Sequence, residues 1–203
     1  RQPGCVRLVG GASIGGWTMK VAAVDFETFY SDECSITVQG TRGYIAHACF
    51  EAYLVSIVTN TGVRWVGDPA GFDWTSISGP DWVWVSHNAG FDEPVYRHLQ
   101  TQGVAPGSAN PAAWHCTADL SAYVGAPRSL AGAVDYLYDV KLDKGTRNKM
   151  KGKRWGEMSE AFKDEVLRYA LADSDWCLKL WADHSPRWPE WERRLSHHTR
   201  RMG

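Results

Sequence analysis

Short apolar segments of strand length constrain the fold of this chain more than any other feature of its sequence. Residues 21–25 form an apolar, valine-rich run, which is typical of a strand buried on both faces of a sheet. The "TNTG" sequence at 59–62 signals a turn, so the strands that follow the first are predicted to form an antiparallel meander. Further segments rich in β-branched and aromatic residues lie at 44–50, 54–59, 63–66, 81–86 and 114–117.

Helical patterns lie among and after the later strands. Residues 88–103 carry an apolar stripe, with Asn88 as the expected N-cap and Gly103 at the end of the helix. Strands followed by helices in this way indicate an α/β sheet that is covered by helices on both sides. Further helices are predicted at residues 118–123, 130–138 and 159–183.

Two carboxylates, Asp25 and Glu27, stand where the first strand ends. Residues two apart on a strand point to the same face and are about 6–7 Å apart, at a rise of about 3.3 Å per residue. Like charges this close beside a buried strand are unfavourable unless a cation or a proton compensates them. The pair therefore indicates either a cation site or two solvated acids at a strand end, and other carboxylates are needed to decide.

Further acids lie at helical positions. Asp92 is in the first turn of the helix that follows the 81–86 strand, where it either joins the acidic pair or stabilises the helix N-terminus. Tyr169 and Asp173 are four residues apart on the last long helix and so share one face, an arrangement that structural packing also produces. Asp175 lies about 200° round this helix from Asp173, which keeps it out of the same site.

The order of these residues resembles that of the DEDD superfamily of 3′→5′ exonucleases, in its tyrosine subclass. The stretches "DFE", "HNAGFD" and "YALAD" resemble the three motifs of that superfamily. The segments "CTADLSAYVGAPRSLAGAVDYL" and "KLDKGTRNKMKGKRW" resemble the regions between its second and third motifs. Together, the motifs and these segments are similar to the proofreading domains of DNA polymerase I-type (family A) enzymes, especially those of phages. The resemblance covers roughly residues 20–181.

This resemblance implies a ribonuclease H-like fold, with a mixed five-stranded sheet flanked by helices on both sides. It implies that Tyr169 orients the attacking water. Hard oxygen donors with no His or Cys set beside them suit Mg²⁺ or Mn²⁺ rather than zinc. Two such divalent cations are expected to be held by Asp25, Glu27, Asp92 and Asp173.

Candidate substrate contacts lie beside the motifs. For Phe91, packing in the core is an alternative role. Contact with the terminal nucleotides of a frayed strand, through hydrogen bonds and stacking, is expected from Thr28, Phe29, Asn88 and Phe91.

A basic segment, residues 141–154, precedes the third motif and carries seven basic side chains against one acid. It either contacts a phosphate backbone, with Lys149 and Lys151 as the candidate residues, or forms a solvated loop. Elsewhere, core packing rather than base stacking is the expected role of Trp65, Trp74, Trp82 and Trp84.

We expect a metal-dependent 3′→5′ exonuclease that removes nucleotides from the 3′ end of single-stranded or frayed DNA. It would be free-standing or the proofreading domain of a longer polymerase, since 203 residues leave no room for a polymerase domain. An RNA-trimming enzyme of the ribonuclease D type is an alternative, because it shares the four carboxylates. A catalytically retired fold that only binds nucleic acid is a third reading, which the intact acidic set disfavours.

The expected organisation has three parts: a tail or linker at residues 1–18, the exonuclease domain at 19–184, and a C-terminal helix at 185–203 that leads towards an absent polymerase domain. The formal net charge of −1 means that any nucleic-acid binding depends on a local patch. Five cysteines without a CxxC motif predict reduced thiols and a cytoplasmic setting, in a bacterial or phage-infected cell. No apolar run reaches the ~20 residues of a membrane span.

Overall fold

A computed structural model of the protein describes residues 19–143 and 145–202. The predicted tail at residues 1–18 and the basic residue Lys144 lie outside the described residues. The strands are β1 (Lys20–Thr28), β2 (Ala52–Thr59), β3 (Arg64–Gly67), β4 (Gly79–Ser86) and β5 (Pro111–Cys116). The helices are α1 (Ile36–Ala46), α2 (Ala89–Thr101), α3 (Thr117–Tyr123), α4 (Leu130–Tyr138), α5 (Gly145–Met150), α6 (Glu160–His184) and α7 (Glu190–Met202).

The strands form one mixed sheet in the order β3-β2-β1-β4-β5. Strand β2 runs antiparallel to β1 and β3, whereas β4 pairs in parallel with β1 and β5. The long apolar β1 is therefore central, as its composition predicts. The mixed five-stranded sheet with helices on both sides is confirmed.

Alternate residues of β1 pack into two different cores. Ala22, Val24 and Phe26 belong to the core that α1 and α2 cover. Val21 and Ala23 belong to the core on the opposite face, with α3 and α6. Because side chains alternate along a strand, the next positions on this second face are those of the two acids at the strand end. The acidic pair therefore faces α6.

The segment 44–50 does not form the predicted strand. Its first residues end helix α1, and the chain then turns before β2. Tyr44 and Ile45 are both buried although they are adjacent in sequence, which does not fit the two-residue alternation of a half-buried strand. The Tyr44 hydroxyl donates a hydrogen bond to the Phe29 carbonyl, and its oxygen lies 2.9 Å from Thr28 Oγ1, within hydrogen-bond distance. The aromatic residue that made this segment resemble a strand is therefore present for its tertiary contacts.

The tryptophans pack as predicted. Trp74, Trp82 and Trp84 are buried, and Trp65 packs against the same core. The C-terminal residues form α7, and its role as a lead-in to another domain stays a prediction. Within residues 19–143 and 145–202, no helix is long and apolar enough to cross a membrane.

The prediction of reduced thiols is wrong for one pair of cysteines. Cys34 and Cys49 form a disulfide, whereas Cys116 and Cys177 are free and buried. Helix α1 folds the chain back between the bonded residues and brings their Cα atoms to 6.4 Å, within the usual range for a disulfide. Spacing along the sequence does not reveal this proximity.

Replacing both Cys34 and Cys49 with serine should lower the free energy of unfolding by about 3 kcal/mol, the value for a closed loop of about 15 residues. Urea unfolding of the wild type with and without reductant measures the change. The double variant is the control, because reductant should not shift its midpoint. An unshifted wild-type midpoint would show that the bond does not contribute to stability.

Candidate active site

The end of β1 positions the first two acids. Asp25 lies opposite Ser56 and Glu27 opposite Leu54 in the pairing with β2, and the register shifts between Glu27 and Thr28. A bulge of this kind turns the chain away from the ladder and re-aims the neighbouring side chains. Both carboxylates are partly buried on the face that α6 covers.

Helix α2 supplies the third acid. Asp92 is only 2% exposed, and its Oδ1 accepts a hydrogen bond from the Phe26 backbone N–H over 3.1 Å. This bond links the first turn of α2 to Phe26, which lies between the two acids of β1. Asn88 occupies the predicted N-cap position, but its side chain makes no capping hydrogen bond and lines the cavity described below. The side-chain amide of Asn88 is therefore available to a ligand.

Buried hydroxyl groups hold α6 against the sheet next to its functional face. Ser56 Oγ donates to the Ala170 carbonyl over 2.8 Å and lies 2.6 Å from Ser174 Oγ. These contacts fix the helix on either side of Asp173. Asp175 points elsewhere and pairs with Arg64, as its angular position on the helix predicts.

The acids converge. Oxygen atoms of Asp25, Glu27 and Asp173 lie within 4.8 Å of one another. They open into a cavity of about 320 Å³, a volume in the range of ligand pockets. Of the residues predicted from sequence, those that line this cavity are Asp25, Glu27, Thr28, Asn88, Phe91, Asp92, Tyr169 and Asp173.

Three candidate substrate contacts lie outside the cavity lining. The Arg154 guanidinium lies over the Phe29 ring, with its central carbon 4.3 Å from the ring centroid. Lys149 pairs with Glu165 over 2.9 Å, and Lys151 pairs with Asp32. Contact between these residues and a substrate stays a prediction.

Phe91 occupies a position that suits both of the roles weighed for it. It lines the cavity, and its ring stacks on Tyr44 with 6.2 Å between centroids. The aromatic face that remains towards the cavity is available to a base, while the other side belongs to the core.

Sequence reasoning missed Arg147 and Tyr30, both of which line the cavity. Part of the basic segment is helical rather than loop. Residues 145–150 form α5, the Tyr30 hydroxyl donates to the Arg147 carbonyl, and the Gly152 N–H donates to the Tyr30 carbonyl over 2.7 Å. The composition of this segment shows that it is basic, but only its folded structure shows which of its cations lies near the acids.

Burial raises the pKa values of all four carboxyl groups, and repulsion by neighbouring carboxylates raises those of Asp25, Glu27 and Asp92 further. Burial and the charge of Asp173 raise the pKa of Asp25 to about 7, and burial raises that of Asp173 to about 6. Burial and neighbouring carboxylates place the pKa values of Glu27 and Asp92 well above their usual range. The Arg147 guanidinium opposes each of these shifts without reversing them. When it is fully ionised, the cluster therefore carries more negative charge than its surroundings compensate.

Tyr169 lies beside this charge. Burial, together with Glu27 and Asp173, raises the pKa of its phenol above the usual range. The hydroxyl is consequently protonated at neutral pH and available as a hydrogen-bond donor, and hydrogen bonding from it lowers the pKa of Asp173.

This donor set fits a divalent metal. Oxygen ligands on opposite sides of a Mg²⁺ ion are about 4.2 Å apart, at about 2.1 Å from the ion to each oxygen. The observed limit of 4.8 Å between carboxylate oxygens is close to that spacing. Uncompensated carboxylates with raised pKa values are stabilised by cations, so the residues present can hold Mg²⁺ or Mn²⁺.

Mg²⁺ affinity should fall as the pH drops from 8 to 5.5, because the ion must displace protons that Asp25 and Asp173 hold up to about pH 7 and 6. In the metal-free protein these groups stay protonated to higher pH than in the unfolded chain, where they titrate near 4. The folded state then binds more protons between about pH 4 and 7, so the free energy of unfolding should fall as the pH rises through that window.

Thermal unfolding with and without Mg²⁺ at several pH values measures both effects. The stabilisation by Mg²⁺ should be large at pH 8 and small at pH 5.5. Equal stabilisation at both pH values would show that these carboxyl groups do not bind the ion.

The fold is similar to those of several solved proteins. Brucella melitensis NrnC with bound Mg²⁺ matches with a TM-score of 0.58 and 18% identity, over 90% of this chain and 81% of that chain. Escherichia coli RNase D, an exoribonuclease involved in structured RNA processing, matches with a TM-score of 0.54 and 21% identity, over 89% of this chain and 44% of that chain.

A third similar structure is the family B DNA polymerase of the hyperthermophilic archaeon Pyrobaculum calidifontis. It matches with a TM-score of 0.61 and 17% identity, over 83% of this chain and 25% of the polymerase. The sequence matches no protein-family model and no curated protein. At these identities the likeness is one of fold, and the chain has a ribonuclease H-like fold of the kind found in exonucleases.

Proposed function

We propose that this protein is a metal-dependent 3′→5′ exonuclease that releases nucleotides from the 3′ end of a single strand. The observation that carries the proposal is the convergence of Asp25, Glu27 and Asp173 in one cavity, within 4.8 Å, with buried Asp92 tied to the same strand end. Four acids with raised pKa values are costly to keep together without cations. A scaffold without catalytic activity would have no physical reason to retain them.

Each residue has a proposed role. Asp25, Glu27, Asp92 and Asp173 hold Mg²⁺ or Mn²⁺, which when bound supplies a Lewis acid for phosphodiester hydrolysis. The protonated Tyr169 phenol orients the attacking water, since it lies at the edge of the acidic cluster. Asn88, Thr28 and the cavity-facing side of Phe91 position the terminal nucleotide.

DNA is the first proposed substrate, on the resemblance of the three motifs to phage-type proofreading domains, and the polymerase domain would lie in a longer parent chain. RNA trimming is the second candidate. It is favoured by the likeness to RNase D and to Trypanosoma brucei RNase D in complex with RNA U12, with a TM-score of 0.56 and 15% identity over 81% of this chain.

Degradation of matched single-stranded DNA and RNA oligonucleotides labelled at the 5′ end tests the proposal. A ladder that shortens from the 3′ end in Mg²⁺ or Mn²⁺, and stops in chelator, is the expected result. The ratio of the DNA and RNA rates decides between the two substrates. Internal cuts, or binding of both strands without cleavage in any divalent cation, would overturn the assignment.

A further inference from the structure

Among the residues that the structure describes, Arg147 is the one cation that lines the cavity. It lies within electrostatic range of Tyr169, Glu27 and Asp25. Among the described residues, no carboxylate oxygen lies within 4.0 Å of its guanidinium group. The Arg147 side chain is also exposed, so a ligand in the cavity can reach it. Its charge is directed at the cavity but is not taken up by an ion pair.

The neighbouring cations of the basic segment differ from Arg147 in this respect. Lys149 pairs with Glu165, and Lys151 pairs with Asp32 on the loop after β1. Arg154 likewise pairs with an acid, Glu51. These contacts fasten the segment to the body of the protein and compensate its charge locally. They leave the guanidinium of Arg147 for another anion.

A charge count indicates which anion that is, and it rests on the proposed function. Four ionised carboxylates carry a charge of about −4, which two divalent cations balance. Arg147 then leaves the loaded cavity with an excess of about +1. A phosphodiester carries a charge of about −1 and presents two non-bridging oxygens, which match the fork of guanidinium N–H groups.

We propose that Arg147 is a catalytic residue that donates hydrogen bonds to the non-bridging oxygens of the scissile phosphodiester. In the hydrolysis a water oxygen forms a new bond to phosphorus and gives up a proton to solvent. The bond from phosphorus to the 3′ oxygen breaks, and that oxygen takes up a proton from solvent. The guanidinium stabilises the charge on the non-bridging oxygens throughout. Such donors act most strongly in a partly buried site.

The side chain of Arg147 can be tested separately from its backbone. Its carbonyl accepts the hydrogen bond from the Tyr30 hydroxyl, and a side-chain substitution leaves this backbone acceptor in place. Arg147→Gln removes the cation, and Arg147→Lys keeps the charge without the fork. Arg194→Gln is the matched control, because Arg194 lies on α7, is exposed and pairs with Glu190.

Two measurements are needed for each variant: single-turnover cleavage of a short single-stranded oligonucleotide in Mg²⁺, and its binding in Ca²⁺ at several salt concentrations. Arg147→Gln should slow cleavage about 10- to 150-fold, the effect of one charge-assisted hydrogen bond. It should also reduce the slope of log K against log salt by about 0.7, the value for one phosphate contact on a single strand. Arg147→Lys should restore the slope and only part of the rate, and Arg194→Gln should match the wild type.

An unchanged slope of log K against log salt in Arg147→Gln would overturn the proposal, whatever the cleavage rate. If the rate also falls together with the melting temperature, Arg147 has a structural role. If the wild type cleaves no strand in any divalent cation, the proposed exonuclease function fails. The salt dependence of binding still decides whether Arg147 contacts a phosphate in that case.

Discussion

Asparagine in place of Asp173 is expected to lower the rate of nucleotide release by about 10³-fold or more, which corresponds to about 4 kcal/mol of transition-state stabilisation. The amide keeps the shape of the side chain but removes a charge that the cation site requires. Because the Asp173 carboxylate raises the pKa of Asp25, its loss also relieves repulsion. The metal-free variant should therefore unfold at the same or a slightly higher temperature than the wild type at pH 8.

Asp175→Asn is the matched control on the same helix. Asp175 pairs with Arg64 at the surface and lies outside the cavity lining. Single-turnover rates and the Mg²⁺-induced shift in melting temperature should be close to wild type in this variant, and both should be lost in Asp173→Asn. Normal cleavage by Asp173→Asn would show that the functional face of α6 is not the one that meets β1.

Much of the fold can be predicted from the sequence, because most of the strands have a composition typical of buried strands. Strand β1 is apolar and buried from Val21 to Val24, up to the first acid, and a central strand buries both faces in this way. The same reasoning gave a wrong prediction for the segment 44–50. Tyr44 is buried by contacts with Thr28 and Phe91, which are distant in sequence and leave no local pattern. The Cys34–Cys49 disulfide was missed for the same physical reason, because it depends on how α1 folds back.

The acids of the candidate site were predictable because strand and helix periodicities fix their directions. Spacing of two places Asp25 and Glu27 on one face, and spacing of four places Tyr169 and Asp173 on another, so only the meeting of the two faces depended on the resemblance. Arg147 could not be selected in this way. It lies among other cations of the same segment, and the ion pairs that separate it from them form only in the folded protein.

Phenylalanine in place of Tyr169 is expected to slow single-turnover cleavage about 10²-fold and to leave binding of the strand in Ca²⁺ close to wild type. The ring stays in its partly buried position on α6, and only the hydroxyl that orients the water is lost. Misplacement of a reacting group by about 1 Å costs a factor of this size. A tyrosine that served packing alone would tolerate the change with a small loss of stability.

Tyr136→Phe on α4 is the control, because that side chain is 66% exposed and lies outside the cavity lining. Rates in Mg²⁺ and affinities in Ca²⁺ for both variants separate the roles. A Tyr169→Phe rate within about twofold of wild type would exclude an orienting role, since a lost hydrogen bond of that kind costs more than RT ln 2. Weaker binding with normal chemistry would assign the hydroxyl to substrate contact. Loss of rate at constant affinity is the one pattern that a water-orienting phenol produces.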